Sequence, residues 1–167
     1  MTPASLIMYK NQGHTALTKS DTIFGEVIMD EKVKNAILKQ MGKEPFCKKF
    51  GLQLKEMREG YAKVEMLFTQ DMKNMFGMAH GGAIFSLIDA AFEVASNSHG
   101  TMAVALNMNI NYLASPEKGS MLTAEAREIN RTKKTAAYEI HATDDSGKLL
   151  ASCQSLAYRL EKPLPFL

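Results

Sequence analysis

The chain has 167 residues, of which 46% are hydrophobic and 23% charged, and its formal net charge is +2. This is the size and composition of one globular domain with a buried core, and a charge so close to balance argues against a protein that grips nucleic acid through a basic surface. No apolar run reaches the length of about 18 residues that a membrane-spanning helix needs, so no membrane span is expected.

Cys47 and Cys153 are far apart and belong to no ligand-like or redox motif, so they read as reduced thiols of a cytosolic protein. The short apolar patch Leu6-Ile7-Met8 is too brief for a secretion signal, and the cytoplasm is the expected location. Residues 1–28 mix Gly, Thr, Ser, Asn and Lys without a sustained period, which predicts a loosely attached extension with a short strand at Thr22 to Met29. Residues 29–45 hold an amphipathic surface helix. Val33, Ile37, Leu38 and Met41 share its face, Asp30 can cap its start and Gly42 follows its end.

Pro45-Phe46 opens the domain proper, residues 46–162, with a helical turn over Phe46 to Phe50. Leu52, Leu54 and Met57, then Ala62, Val64, Met66 and Phe68, alternate with charged residues around Glu59-Gly60, the pattern of a β-hairpin. Residues 70–79 read as a loop. A helix follows from Gly81 to Asn97, ended by Gly100: Ile84, Leu87, Ile88, Ala91 and Ala95 recur at helical spacing, and Phe85 and Phe92 widen the apolar stripe until the helix must be deeply buried. Strands are then predicted at Val104 to Tyr112, 120–130, 134–143 and Lys148 to Leu160, with a strong turn at Asp144-Asp145-Ser146-Gly147 and a tail over 163–167 carrying Pro163 and Pro165. Two strands, one long buried helix and four more strands make an α+β domain in which an antiparallel sheet wraps the helix. The twelve methionines fit either ordinary filler or a pliable lining for a pocket.

One residue on the buried helix resists this account. Asp89 is the only charged side chain from Gly81 through Phe92, and an ionised carboxylate there is costly unless it is paired, hydrogen-bonded or beside water. It is either a structural group bonded to a neighbour such as Ser86 or a chemical one. Gly81 and Gly82 stand where the helix begins, where backbone N–H groups have no internal partner and the helix dipole favours negative charge. Glycine lets another group approach that backbone, and His80 and Asn74 are upstream donors. An oxyanion-stabilising corner and a carboxylate are the equipment for attack on a carbonyl. At about 1.5 Å per residue, Gly81 and Asp89 of one chain lie roughly 12 Å apart along the helix, so a symmetric dimer with antiparallel helices, Asp89 of one opposite Gly81 of the other, is expected to build the site.

The series Asn74, His80-Gly81-Gly82, Asp89 and Asn97-Ser98 resembles the hotdog-fold thioesterases of the phenylacetate-degradation (PaaI-like) type, over roughly residues 46–161. The resemblance implies a hotdog fold and hydrolysis of an acyl-coenzyme A thioester, with no cofactor and no metal. It also implies a homodimer with shared sites, arranged as a dimer of dimers. Asp89 matches the general base or nucleophile, the Gly81 N–H the oxyanion donor, and His80 and Asn74 the surrounding polar groups. Gly82, Arg131, Lys133 and Lys134 become candidates for substrate binding, the last three toward the phosphates of coenzyme A. The Arg131-Thr132-Lys133-Lys134 group reads equally as a solvated turn. Ala105 departs from the pattern, since relatives often carry a Ser or Thr there to position water, for which Asn107 or Asn109 are the available substitutes. That departure leaves open a non-catalytic acyl-coenzyme A binder. A hydratase of this fold would carry D-x-N-P-x-H, which is not present. The acyl group, aryl or fatty, is not specified by these residues.

Overall fold

Alternation of small apolar and polar residues builds a six-stranded antiparallel sheet with one dry face, and a single long helix occupies that face. The computed structural model describes Thr22–Ile23, Glu26–Val27 and residues 29–167. Most of the expected N-terminal extension therefore lies outside the described residues. Where a strand is expected from Thr22 to Met29, two two-residue strands, β1 (Thr22–Ile23) and β2 (Glu26–Val27), pair antiparallel instead. Helix α1 (Glu31–Met41) starts where Asp30 Oδ1 accepts from the Lys32 N–H at 2.7 Å, and it buries Val33, Ile37 and Met41. Leu38, placed by its spacing on the same face, stays 42% exposed. The next helix, α2 (Pro45–Phe50), ends at Gly51, whose φ of +64° is the left-handed conformation that closes a helix.

The sheet comprises β3 (Gln53–Arg58), β4 (Tyr61–Leu67), β5 (Thr101–Tyr112), β6 (Met121–Arg131), β7 (Thr135–Thr143) and β8 (Leu149–Pro163), in the order β3-β4-β6-β7-β8-β5. Register carries the inner face unbroken across it: Val64, Ala124, Ala142, Ala151 and Tyr112 form one row, and Ala62, Ala126, Ile140, Cys153 and Ile110 the next. Five of these ten residues are alanine, so the helix lies close to the sheet and the core stays dense. Between them, Lys63, Glu125, His141, Ser152 and Asn111 form an outer row that faces away from the helix.

Helix α3 (Gly81–Asn97) is the predicted central helix, and Leu87, Ile88, Ala91 and Ala95 on it are fully buried. Each buried Leu or Ile is worth about 1.5–3 kcal/mol of apolar transfer. Its far end is fixed by polar contacts: the Ser98 hydroxyl accepts from the Gly60 N–H and donates to the Ala95 carbonyl, both at 2.7 Å, while His99 Nε2 lies 2.9 Å from Glu128 Oε2. Asn97-Ser98 is thus a helix end, as its sequence implies. The segment ahead of the helix, expected to be loop, holds a single 3-10 turn at Gln70–Met72. After β8, Leu164 is buried and its N–H reaches the Gly100 carbonyl at 3.2 Å, so the chain end packs beside the helix end.

Candidate active site

The corner at the start of α3 is organised by its two glycines. The His80 imidazole folds back over the first turn, and its Nδ1 accepts from the Gly82 N–H at 2.9 Å. A Cβ on Gly82 would sit 3.0 Å from that nitrogen, so the glycine makes room for the ring. Because Nδ1 is an acceptor, the neutral ring carries its proton on Nε2, and His80 is exposed. On the other side, the Tyr112 hydroxyl donates to the Gly81 carbonyl at 3.1 Å, and a Cβ on Gly81 would lie 3.1 Å from Tyr112 Cζ. The Gly81 N–H has no acceptor among the described residues. It is an unpaired donor at the positive end of a buried helix, which suits an oxygen gaining negative charge.

Asn74 closes the preceding loop. Its Oδ1 accepts from the Phe76 and Met78 N–H groups at 2.9 and 3.1 Å, and its own N–H reaches the Met78 carbonyl at 2.8 Å. Gly77, at φ +77°, permits the tight return. With Oδ1 committed to the loop, Nδ2 is the outward donor. Asn74 thus shapes the loop that leads into His80 and Gly81, and His80 and the Gly81 N–H share the start of α3.

Asp89 lies two turns further along α3 and is half-buried. Ser86 does not hold it, since that hydroxyl donates to the Gly82 carbonyl at 2.8 Å. No cation or hydrogen-bond donor among the described residues meets the carboxylate, and burial, followed by the negative charge of Glu44, raises its pKa above the ordinary aspartate value. That makes it a stronger base than a solvated aspartate. Its neighbourhood includes Cys153 on the inner face of β8, a free thiol whose own pKa is raised by burial and by the Asp89 charge.

Sequence reasoning missed Glu93, one turn beyond Asp89. A cavity of about 230 Å³ opens between α1, α3 and the chain end, lined by Ile37, Met41, Val94 and Leu164 with Glu44 and Glu93 in its wall. Although solvent reaches part of Glu93, burial of its carboxyl, then Glu44, then Asp89, push its pKa up to about 7. The native state therefore binds a proton that the unfolded chain, near the ordinary glutamate value, releases. The stability cost is absent below the unfolded pKa, grows as pH rises between that value and about 7, and is complete above it. Glu93→Gln is thus expected to raise the melting temperature at pH 8, with the gain shrinking steadily toward pH 5 in a thermal-melt series. A gain independent of pH would contradict this placement of the carboxyl.

The basic turn is elsewhere. Arg131 Nε lies 3.3 Å from Glu128 Oε1, and Lys133 and Lys134 lie 4.0 and 3.4 Å from Glu161. Glu128 also meets His99, which puts this turn at the far end of α3 from Gly81 within one chain. Ala105 is exposed on β5, and Asn107 and Asn109 pair with Leu156 and Gln154 on the outer face, so neither amide points toward α3 to replace a water-holding hydroxyl.

Comparisons with known proteins place the chain in a family. The thioesterase superfamily profile matches residues 76–151. A protein of Archaeoglobus fulgidus, provisionally named an esterase, is 39% identical over 137 residues, covering 82% of this chain and 87% of the relative. The acyl-coenzyme A thioesterase PaaI of Escherichia coli is 36% identical over 114 residues, 68% of this chain and 81% of that protein. The solved E. coli PaaI structure superposes with a TM-score of 0.77 at 31% identity, covering 81% of this chain and 98% of that one. A Streptococcus mutans protein, smu.793, solved bound to acetyl CoA, superposes at 0.65 with 26% identity, over 68% of this chain and 91% of that one. The chain belongs to the thioesterase superfamily: it is a hotdog-fold thioester hydrolase related to PaaI.

Proposed function

We propose that this enzyme hydrolyses an aryl-acyl or fatty-acyl coenzyme A to the free acid and coenzyme A, at sites shared between two copies of the chain. The observation that carries the reading is an unpaired backbone donor, Gly81 N–H, on the same helix as an unpaired, partly buried carboxylate, Asp89. The thioester oxygen would sit at the Gly81 N–H with His80 Nε2–H and Asn74 Nδ2–H nearby, the helix dipole favouring the charge that develops there. The partner's Asp89 would drive attack, either as base toward water or as nucleophile. With water, the hydroxyl oxygen bonds to the carbonyl carbon, its proton passes to the carboxylate, and collapse of the oxyanion breaks the C–S bond. The proton then leaves with the thiolate.

The surface supports the dimer. β5 is an edge strand with one unpaired side, and Val104, Leu106 and Leu113 on and just beyond it are 46–56% exposed. On the loop beside the site, Met75 and Phe76 are 88% and 76% exposed. An apolar edge of this kind invites pairing with another strand, and a two-fold axis beside β5 would set two α3 helices antiparallel. Such an arrangement would also carry the turn at Lys133 and Lys134 toward the partner's corner, where those solvent-facing cations would meet coenzyme A phosphates. Arg131, turned to Glu128, would back them. The S. mutans protein's acetyl CoA supports this class of substrate.

The test is free-thiol release from a panel of aryl- and fatty-acyl coenzyme A compounds, with sedimentation of the same sample. Turnover by a dimer or larger assembly is expected. Tight binding without thiol release would instead make the protein a binder, and an active monomer would break the shared site.

A further inference from the structure

We propose that Tyr112 is a positioning residue for the oxyanion corner. It holds the Gly81–Gly82 peptide from the carbonyl side while His80 holds the same peptide from the N–H side. The inference rests on the thioesterase reading of that corner and adds a residue to it from the opposite edge of the sheet. Tyr112 ends the inner row whose next member is Ala151, and that alanine leaves the phenol ring free to lie against the Gly81 backbone. Its hydroxyl donates to the Gly81 carbonyl at 3.1 Å, and the Gly82 N–H of that peptide donates to His80 Nδ1 at 2.9 Å. A peptide bonded at both ends cannot rotate about its flanking dihedrals, so the adjoining Gly81 N–H is held in a fixed direction. Glycine is the residue that most needs such restraint, having the widest backbone freedom.

Three further hydrogen bonds extend the clamp. Ser115, just past the end of β5, accepts from the Ala79 N–H at 3.1 Å, so both sides of His80 are tied to one strand end. That strand end is itself anchored, the Leu113 and Ala114 N–H groups reaching the Leu150 carbonyl at 2.8 and 3.2 Å. Burial raises the Tyr112 pKa, which keeps the phenol protonated and donating.

The experiment is Tyr112→Phe, which keeps the ring and deletes the hydroxyl, assayed by free-thiol release in the wild-type, Gly81→Ala and Gly81→Pro backgrounds; the last two bring the same Cβ to the ring, and only proline lacks the N–H being aimed. The expected result is a fall in kcat of about 2–13-fold, the rate equivalent of one hydrogen bond, with KM within about twofold, a loss that persists in Gly81→Ala and no further loss in Gly81→Pro. An unchanged kcat, or an equal loss in Gly81→Ala and Gly81→Pro, would overturn the proposal, because a merely structural tyrosine would act additively. The 15N shift of the Gly82 amide reads the clamp without any reaction. It is expected to move in Tyr112→Phe, and an unmoved resonance would sink the clamp even in an active enzyme. A wild-type protein that releases no thiol while the resonance moves would sink the thioesterase reading and leave the clamp standing.

Discussion

Asp89→Asn is expected to lower kcat by about three orders of magnitude, the scale of loss when a proton acceptor or nucleophile is removed, with KM within about threefold. The substitution keeps shape and deletes basicity. It is clean because the carboxylate makes no ion pair or hydrogen bond among the described residues, so its removal strands no partner. A half-buried, unpaired charge costs stability, and the melting temperature of Asp89→Asn is therefore expected to equal or exceed that of the wild type. Loss of turnover with undiminished stability separates chemistry from folding. Steady-state kinetics beside a thermal melt measures both, and a variant keeping most of its turnover would remove Asp89 from the reaction.

Gly81→Pro is expected to cost about 100–1000-fold in kcat relative to Gly81→Ala, the range found when one oxyanion donor is deleted. Proline suits the first position of a helix because the N–H lost there has no helical partner. His80 ahead of it has φ −68° and ψ 130°, the extended conformation that precedes proline without strain. Both replacements bring the same Cβ to 3.1 Å from Tyr112 Cζ, so the small displacement of that ring is common to both. Only proline removes the N–H. Equal kcat values in the two variants would show that this donor does not touch the developing charge.

The helix that organises the fold is legible in the sequence because its signals agree. Apolar spacing over Ile84 to Ala95, glycines at the start and Gly100 beyond the end all specify one buried element. His80 and Gly81 are legible for the same reason, being local to that helix start, and Asn74 is legible as the residue that turns the loop ahead of it. Tyr112 is not, because its partner is 31 residues away and its place in an alternating strand gives it only an ordinary inner-face role. Glu93 is not singled out by the sequence, because Glu44, whose charge helps raise its pKa, is brought beside it only by folding. Asn107 and Asn109 illustrate a third limit. Which face a strand residue takes depends on register, and β5 shifts register between Ala105 and Asn107, so the sequence names the amides without directing them. The basic turn shows the same locality. Its charges are plain in sequence, but its ion pairs to Glu128 and Glu161 and its place at the far end of α3 come from long-range pairing.

The central claim, that one chain's backbone donor works with the other chain's carboxylate, is tested most directly by mixing two inactive variants. In a hybrid of Asp89→Asn and Gly81→Pro chains, one of the two shared sites holds both the intact Gly81 N–H and the intact Asp89, and the other holds neither. Co-expressed in equal amounts and assorting at random, the chains give hybrids as half of all dimers, so about a quarter of wild-type turnover should return. A mixture no more active than its parents, with hybrid dimers shown to be present, would contradict the shared site.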